Sequence, residues 1–485
     1  VHKMKRSLRN TLQSSAGDPG DSLVDRINVQ LDQPIPEVLT IGLGNSLPIY
    51  GVCLHPNSEI VGLELGIGES TCELFCFKRG GGGQQTDFVG LADLSQIPKE
   101  RPCVVTLHVF LANGAAHDVV LGQTMIAKCV NKPISVPSAA AHRSARVAIC
   151  MATYNPEPEA FERQLQSILS QSFRDWICIV CDDASNPQSQ RMLTEKCAED
   201  ERLCLRLHES NVGFYENFER ALAYVPPHVE WIALADQDDY WFPEKLATLL
   251  GAFEKNVELV YSDMRIVGAD GCEISPTYWQ QRKNYYQQLD LMLLANTVTG
   301  AALMFRQRLL EFILPFPVRV GDAFHDHWIA CVALSKGKIS YVPSALYDYI
   351  QYGNSVIGHC SFETPTLARR IAAIIGSIGG LVAPTRLKAE LVRIYNVSLT
   401  VYRYECRRLQ LIAHVIQQRC VDIPRSKRVE LNLYKGGIIT ALRLLALHVK
   451  IVTLRHTTDD AELRLGMGFA VARLAQRRCR RAHSG

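Results

Sequence analysis

The sequence predicts a central α/β domain, with a β-sandwich before it and a helical region after it. Three observations carry this reading. From Val147, apolar runs at 147–151, 176–181, 203–208, 230–235 and 259–262 alternate with helical stretches near 157–171, 187–198, 215–224 and 243–255. That alternation is the signature of a mainly parallel sheet. Earlier, short strand-like segments at 48–54, 60–65, 72–77, 104–111 and 118–127 are parted by turn signals: His55-Pro56-Asn57, the glycine run 80–83 and Asn113-Gly114. Short strands at this spacing favour a sandwich. After about Ser361 the strand signals fade, and apolar-basic stretches broken near Pro384, Pro424 and Gly436-Gly437 read as helices.

The boundaries follow from these changes of pattern. Residues 1–26 read as a disordered N-terminus and 27–130 as the sandwich. Residues 131–146, with Pro133, Pro137 and Ala139-Ala140-Ala141, read as a linker, 147–360 as the α/β domain and 361–485 as the basic helical region. A chain of 485 residues has room for several such units, at roughly 150 residues each. Its 47% hydrophobic and 21% charged residues exclude disorder, collagen or coiled coil for the chain as a whole.

A net charge of +3 conceals a division. From residue 361 onward 22 Lys and Arg face 8 Asp and Glu, a balance of +14, against −11 for residues 1–360. The 16 cysteines are scattered through apolar runs, which suits free thiols in a reducing compartment. Cys178-Ile179-Val180-Cys181 lies in a strand-like run, whose period of two sends residues three apart to opposite faces. It is read as buried core, with zinc or redox use as the alternative. Lys3, Lys5, Arg6 and Arg9 are followed by no apolar segment, so a secretory signal is not expected. No run reaches 18 uninterrupted apolar residues, and no spanning helix is expected.

The chemistry concentrates after the strands. Asp236-Gln237-Asp238-Asp239-Tyr240-Trp241 follows the run 231–235. Three carboxylates in four residues repel one another unless a cation neutralises them. Mg²⁺ and Mn²⁺ bind a few carboxylates together with substrate phosphate oxygens, so the segment suggests a metal–diphosphate site. An acidic turn or helix cap is the plainer alternative. Asp182-Asp183-Ala184-Ser185 follows the second run, where an acidic side chain can hold a ribose or base, or cap the next helix. Ala152-Thr153-Tyr154-Asn155-Pro156 ends the first run and could line the same pocket. Gly42-Leu43-Gly44 precedes no helix and is rejected as a phosphate loop; neither G-x-G-x-x-G nor G-x-x-x-x-G-K-[ST] follows any strand.

Together these segments resemble the inverting nucleotide-sugar glycosyltransferases of family 2, with the GT-A fold. The residues that match are Ala152-Thr153-Tyr154-Asn155, Asp182-Asp183-Ala184-Ser185, Asn211-Val212-Gly213 and the D-x-D of Asp236-Gln237-Asp238. NVGFYENFERAL (211–222), DQDDYW (236–241), TGAALMF (299–305), FHDHW (324–328) and YIQYGNSVIG (349–358) look most like the rhamnosyltransferase branch. The resemblance covers roughly residues 146–360. It implies that Asp238, with Asp236, holds Mg²⁺ or Mn²⁺ on the donor diphosphate. Asp182 and Thr153 would contact base and ribose, with Asp183 in reserve, and Tyr154, Asn155, Asn211 and Gly213 would complete the nucleotide site. Asp326 stands where the family places its general base, with Asp322 the alternative, and Asp239, Trp241, Trp328 and Gln351 are candidate acceptor or sugar contacts.

His325 and His327, two apart on a helix, point away from each other and do not suggest a metal pair. Trp279 could stack on a sugar or pack in the core. The sequence departs from the family at Tyr352, where relatives commonly carry His, and at His327, which replaces an aromatic. The implied partners are a nucleotide-sugar donor, dTDP-rhamnose first and a UDP-hexose or UDP-N-acetylhexosamine second, and a glycan or lipid-linked acceptor in bacterial surface polysaccharide synthesis. A non-catalytic scaffold is the reading from another class. The basic region, with an amphipathic stretch at 436–454, could attach a cytoplasmic enzyme to the anionic inner face of the plasma membrane, or pack as a bundle on the α/β domain. No RNA- or DNA-binding module accompanies the arginines, so nucleic acid is not expected as a partner.

Overall fold

The computed structural model describes residues 11–13, 27–78, 85–95, 97–129, 144–279, 284–351, 384–432, 434, 439–444, 446 and 461–481. The glycine run 80–83, Tyr352, Gly358 and much of the stretch 436–454 lie outside the described residues.

Among the described residues ten strands build the sandwich: β1 (Thr11–Gln13), β2 (Asn28–Leu31), β3 (Val38–Ile41), β4 (Ser46–Leu54), β5 (Ile60–Ile67), β6 (Ser70–Glu73), β7 (Phe75–Phe77), β8 (Thr86–Asp93), β9 (Pro102–Leu111) and β10 (Ala116–Lys128). They form two five-stranded sheets, ordered β1-β2-β4-β8-β7 and β3-β10-β9-β5-β6. The period-2 pattern of β9 explains the layering, since Val105, Leu107, Val109 and Leu111 all face the core. The strand β1 corrects the expectation of disorder throughout 1–26. It pairs antiparallel with β2 and so covers the edge of β2 that β4 leaves open.

The α/β domain contains β11 (Val147–Thr153), β12 (Trp176–Asp182), β13 (Leu203–Leu207), β14 (Trp231–Ala235), β15 (Tyr240–Trp241), β16 (Val257–Gly268), β17 (Glu273–Ser275), β18 (Leu303–Arg306) and β19 (Lys338–Gln351). Its helices are α1 (Pro158–Leu169), α2 (Pro187–Cys197), α3 (Phe214–Ala223), α4 (Lys245–Gly251), α5 (Leu289–Leu294), α6 (Leu310–Ile313) and α7 (His325–Lys336). Strands β13, β12, β11 and β14 are parallel. Beyond β14 the sheet turns mixed, with β18 antiparallel to both β14 and β16, and β15 antiparallel to β19. The sequence pattern announced the parallel half only. Cys178 and Cys181 are both buried within β12, as the core reading expects.

The helical region comprises α8 (Pro384–Val401), α9 (Arg407–Arg419), α10 (Arg425–Asn432) and α11 (Ala461–Arg481), with a π-helical turn, Tyr402–Cys406, between α8 and α9. It binds the other two units together. Arg403, 1% exposed, is paired with Asp87 and, at 2.6 Å, with Asp32 of the sandwich, and the Tyr404 hydroxyl donates to Asp32 at 2.5 Å. Arg419 donates to the carbonyls of Gly44 (2.6 Å), Phe312 (2.9 Å) and Ile313 (3.0 Å). Gly42 explains why this loop is glycine-rich: a Cβ there would lie 2.6 Å from the Leu314 carbonyl oxygen. Tyr50, Phe77 and Val89 of the sandwich belong to the same buried cluster as the α/β core and the C-terminal helices. Part of the positive charge of the helical region is therefore structural.

Candidate active site

The loops after β11, β12 and β14 converge at the C-terminal edge of the parallel strands, where open α/β sheets bind ligands. Short side chains tie them together. Asp182, fully buried, accepts from the Thr153 hydroxyl (3.2 Å), from the Ser185 hydroxyl and from the Ser185 N–H (2.9 Å). Asp183 accepts from the N–H of Val212 (2.9 Å) and of Gly213 (2.8 Å), while Asn211 donates to its carbonyl (3.0 Å). Gly213 takes φ +87°, a conformation that favours glycine, and opens α3. Asn155, at φ +42°, accepts on its side-chain oxygen from the backbone and side-chain nitrogens of Asn186. Both carboxylates of the second cluster thus fasten the loops, and Tyr154, Asn155 and Asn211 are exposed at this edge.

The D-x-D turn is secured by residues the sequence reading passed over. The Gln237 side chain pairs with the backbone of Tyr154, accepting its N–H at 2.8 Å and donating to its carbonyl at 3.4 Å. Arg163 of α1 donates to the Asp238 carbonyl at 2.9 Å. A cleft of about 240 Å³ beside this turn is lined by Arg163, Tyr240, Arg265, Glu273, Asp348 and Ile350.

Burial, with the charges of Asp238 and Asp326 behind it, pushes the Asp236 carboxyl up to about 7. Burial also raises Asp238, against the pull of Arg163. Asp239 is held well above the usual carboxylate range by burial and by its two acidic neighbours, and among the described residues its Oδ2 has no hydrogen-bond partner. Lys245 lies behind them, fully buried, its ammonium 3.7 Å from the Trp241 ring centre and 4.2 Å from that of Tyr347.

Asp326 sits in the first turn of α7. Its carboxylate accepts from Gly300 N–H (3.0 Å), from the Asn296 side chain (3.0 Å) and from His327 N–H (2.6 Å). Burial nevertheless pushes it up to about 7, since those donors offset only part of the lost solvation. The two histidines diverge as expected. His325 stacks on Phe218 with ring centres 3.8 Å apart, and His327 bonds the Met292 carbonyl at 2.8 Å. Burial keeps both imidazoles neutral, down to about 3 and about 4. Asp322, the alternative base, is exposed.

Three candidate acceptor contacts need correction. Trp328 is buried and donates to the Ile313 carbonyl at 2.9 Å, with Arg419 over its ring. Trp241 is fully buried beneath Lys245, and Asp239 is enclosed at 1% exposure. Trp328 and Trp241 are core because α7 and β15 run beneath the loops, where large apolar groups pack, and Asp239 is enclosed with them as the residue just before β15. Gln351 is half-buried at the end of β19, and Trp279, half-buried, makes edge contacts with Tyr278 and Tyr341.

The residues suit a divalent cation in one specific way. Asp236 and Asp238 are carboxylates whose proximity and burial disfavour the free anion, which a cation would restore. Among the described residues no group of three His, Cys, Asp or Glu could hold a metal by itself. A site completed by donor phosphate oxygens needs only one or two carboxylates.

These features define a class. A family model described as glycosyl transferase family 2 matches residues 148–314, about a third of the chain. An uncharacterised glycosyltransferase of Methanocaldococcus jannaschii is 22% identical over 39% of this chain and 64% of its own. A putative glycosyltransferase of Bacillus subtilis, EpsE, is 30% identical over 27% of this chain and 49% of its own. The Escherichia coli enzyme WfgD, a UDP-Glc:α-D-GlcNAc-diphosphoundecaprenol β-1,3-glucosyltransferase, is 30% identical over 25% and 46%. The chain thus spans between 46% and 64% of the length of these three relatives. Among solved structures, a Pyrobaculum calidifontis mannosyltransferase in complex with GDP-Man and Mn²⁺ aligns at TM-score 0.37 and 17% identity, over 68% of this chain and 87% of its own.

Proposed function

We propose that this chain transfers a sugar from a nucleotide-diphosphate donor to a hydroxyl of a glycan or lipid-linked acceptor, with inversion. One observation carries the reading: Asp326 lies near enough to the D-x-D turn for its charge to raise Asp236. A carboxylate pair suited to a metal–diphosphate and a separate, hydrogen-bonded carboxylate therefore share one site.

In this reading Tyr154, Asn155, Asn211 and Gly213 face the nucleotide, on loops held by Asp182 and Asp183. Asp238 and Asp236 would hold Mg²⁺ or Mn²⁺, which when bound stabilises the leaving diphosphate. Asp326, oriented by Gly300 and Asn296, takes the acceptor hydroxyl's proton as that oxygen attacks the anomeric carbon. The bond to the diphosphate oxygen breaks in the same displacement, which inverts the anomeric configuration. The 299–305 and 324–328 segments support rhamnose from dTDP-rhamnose as first donor candidate. The likeness to WfgD, by its name a glucosyltransferase using UDP-Glc, supports a UDP-hexose as the second. A place in bacterial surface polysaccharide synthesis fits either.

The test is turnover of a nucleotide-sugar panel with and without Mn²⁺, using wild type, Asp238→Asn and Asp326→Asn. Metal-dependent transfer lost in both variants is expected. Activity untouched by both substitutions would overturn the site, and donor binding without turnover on any acceptor would favour a scaffold.

A further inference from the structure

We propose that the solvent face of the C-terminal helices docks on an anionic phospholipid bilayer. It rests on the sugar-transfer reading only for its use, bringing the site to a lipid-linked acceptor.

A soluble helix normally turns its apolar stripe inward and its polar face to water. Helices α8 and α11 do not fully obey. They pack antiparallel, since Cys406 bonds the Leu465 carbonyl while a Cβ on Gly468 would lie 3.3 Å from the Ser398 carbonyl oxygen. On their outer sides Ile394 and Val397, three apart on α8, and Met467 and Leu474, seven apart on α11, are exposed, Val397 and Leu474 at 56% each. Residues 439–444 repeat the pattern. Thr440, Ala441 and Leu444 are buried there, while Ile439 and Leu442 are 63% and 59% exposed. By contrast, among the described residues of the α/β domain the exposed large apolar side chains are Tyr154, Leu207 and Ile274.

Charge selects the occupant. Arg393 is exposed on α8 next to Ile394, Arg443 is exposed next to Leu442, and Arg425 and Arg428 are exposed on α10; the sequence of α11 ends on Arg477, Arg478, Arg480 and Arg481. The sandwich also exposes apolar side chains, Phe110 and Val120 among them, but residues 27–130 hold 5 Lys and Arg against 10 Asp and Glu. An anionic surface attracts the first face and repels the second. Among the described residues no helix is long and apolar enough to cross a membrane, so the helices would lie along the interface.

The experiment is co-sedimentation of the full chain with vesicles of phosphatidylcholine alone, or with about one third phosphatidylglycerol. Wild type is expected to bind the anionic vesicles at least about tenfold better, and less well in high salt. Val397→Glu with Leu474→Glu, and separately Leu442→Glu, should each lower that binding about tenfold while circular dichroism and Tm hold. Equal binding to both vesicles, or variants that bind like wild type, would overturn the proposal. So would a wild-type dimer that the variants render monomeric while no vesicle binding occurs, which would give the face to a second copy. No turnover is read, so failure of the sugar-transfer reading leaves this result intact.

Discussion

The ammonium of Lys245 donates to the carbonyl of Ala301 at 2.5 Å, one residue from the Gly300 N–H that holds Asp326. The same group feels the charges of Asp239 and Asp236 and lies against the rings of Trp241 and Tyr347, and burial pushes it well below the usual lysine range. One buried amine therefore joins the D-x-D turn to the segment that positions the candidate base. Replacing Lys245 by Met keeps the stem and removes the donor. Leaving the buried Ala301 carbonyl without this donor typically costs about 1–3 kcal/mol. Urea denaturation of Lys245→Met should show a loss of that order, partly recovered when Asp239→Asn is added. Additive losses in the double variant would mean that the two groups do not interact.

Asp326→Asn is expected to lower kcat by about 10²–10⁴, the range for removing a positioned general base. Donor binding should be unchanged, because the Asp326 contacts are to Gly300, Asn296 and His327. A large rise in donor KM with kcat preserved would contradict the assignment.

The pH dependence of stability has a definite sign. Asp236 and Asp326 have folded-state pKa values raised to about 7, above the ordinary carboxylate value. Between those values the folded chain binds more protons than the unfolded one, so their contribution falls as pH rises towards 7. Above about 7 both are ionised in each state and the contribution is gone, apart from the cation's effect. Thermal unfolding without metal should give a higher Tm near pH 5.5 than near pH 8 from these groups. Mn²⁺, which binds the ionised form, should raise Tm chiefly at the higher pH. A Mn²⁺ effect that is equal at both pH values, or that survives Asp238→Asn, would count against the cation site.

Asp183→Ala removes the acceptor for two backbone N–H groups of the 211–213 loop. Each lost charge-assisted bond is worth about 1.5–3 kcal/mol locally, so the loop should loosen and donor KM rise about tenfold or more. An unchanged donor KM would show that the loop does not touch the nucleotide.

Arg403→Met leaves Asp87 and Asp32 without their buried partner at the sandwich interface. A loss of about 3–5 kcal/mol is expected, with the sandwich and the helical region loosening together. Limited proteolysis that cuts between them no faster than in wild type would argue that apolar packing alone holds the joint.

Much of the site was legible because chemistry here is local in sequence. Asp182, Asp183, Asp236 and Asp238 each follow a run that forms a buried strand, and strand ends in open α/β sheets gather at one edge. The parallel strands could be placed for the same reason, since apolar runs between helical stretches have few other solutions. Asn296, Lys245 and Arg163 carried no such signal. Each is an ordinary residue on a helix or loop until the fold brings it to Asp326, Ala301 or the Asp238 carbonyl.

The sequence by itself determined the class of the central domain, the carboxylates available to it and the division between an acidic body and a basic end. Side-chain type and spacing suffice for that, because they are properties of neighbours along the chain. Only the tertiary structure decided which carboxylates fasten loops and which share a site, that Trp241 and Trp328 are core, and that Arg403 and Arg419 weld the sandwich to the rest. Those outcomes depend on burial and on partners hundreds of residues away, such as Asp87 for Arg403. Solvation and long-range pairing exist only after the chain has closed upon itself.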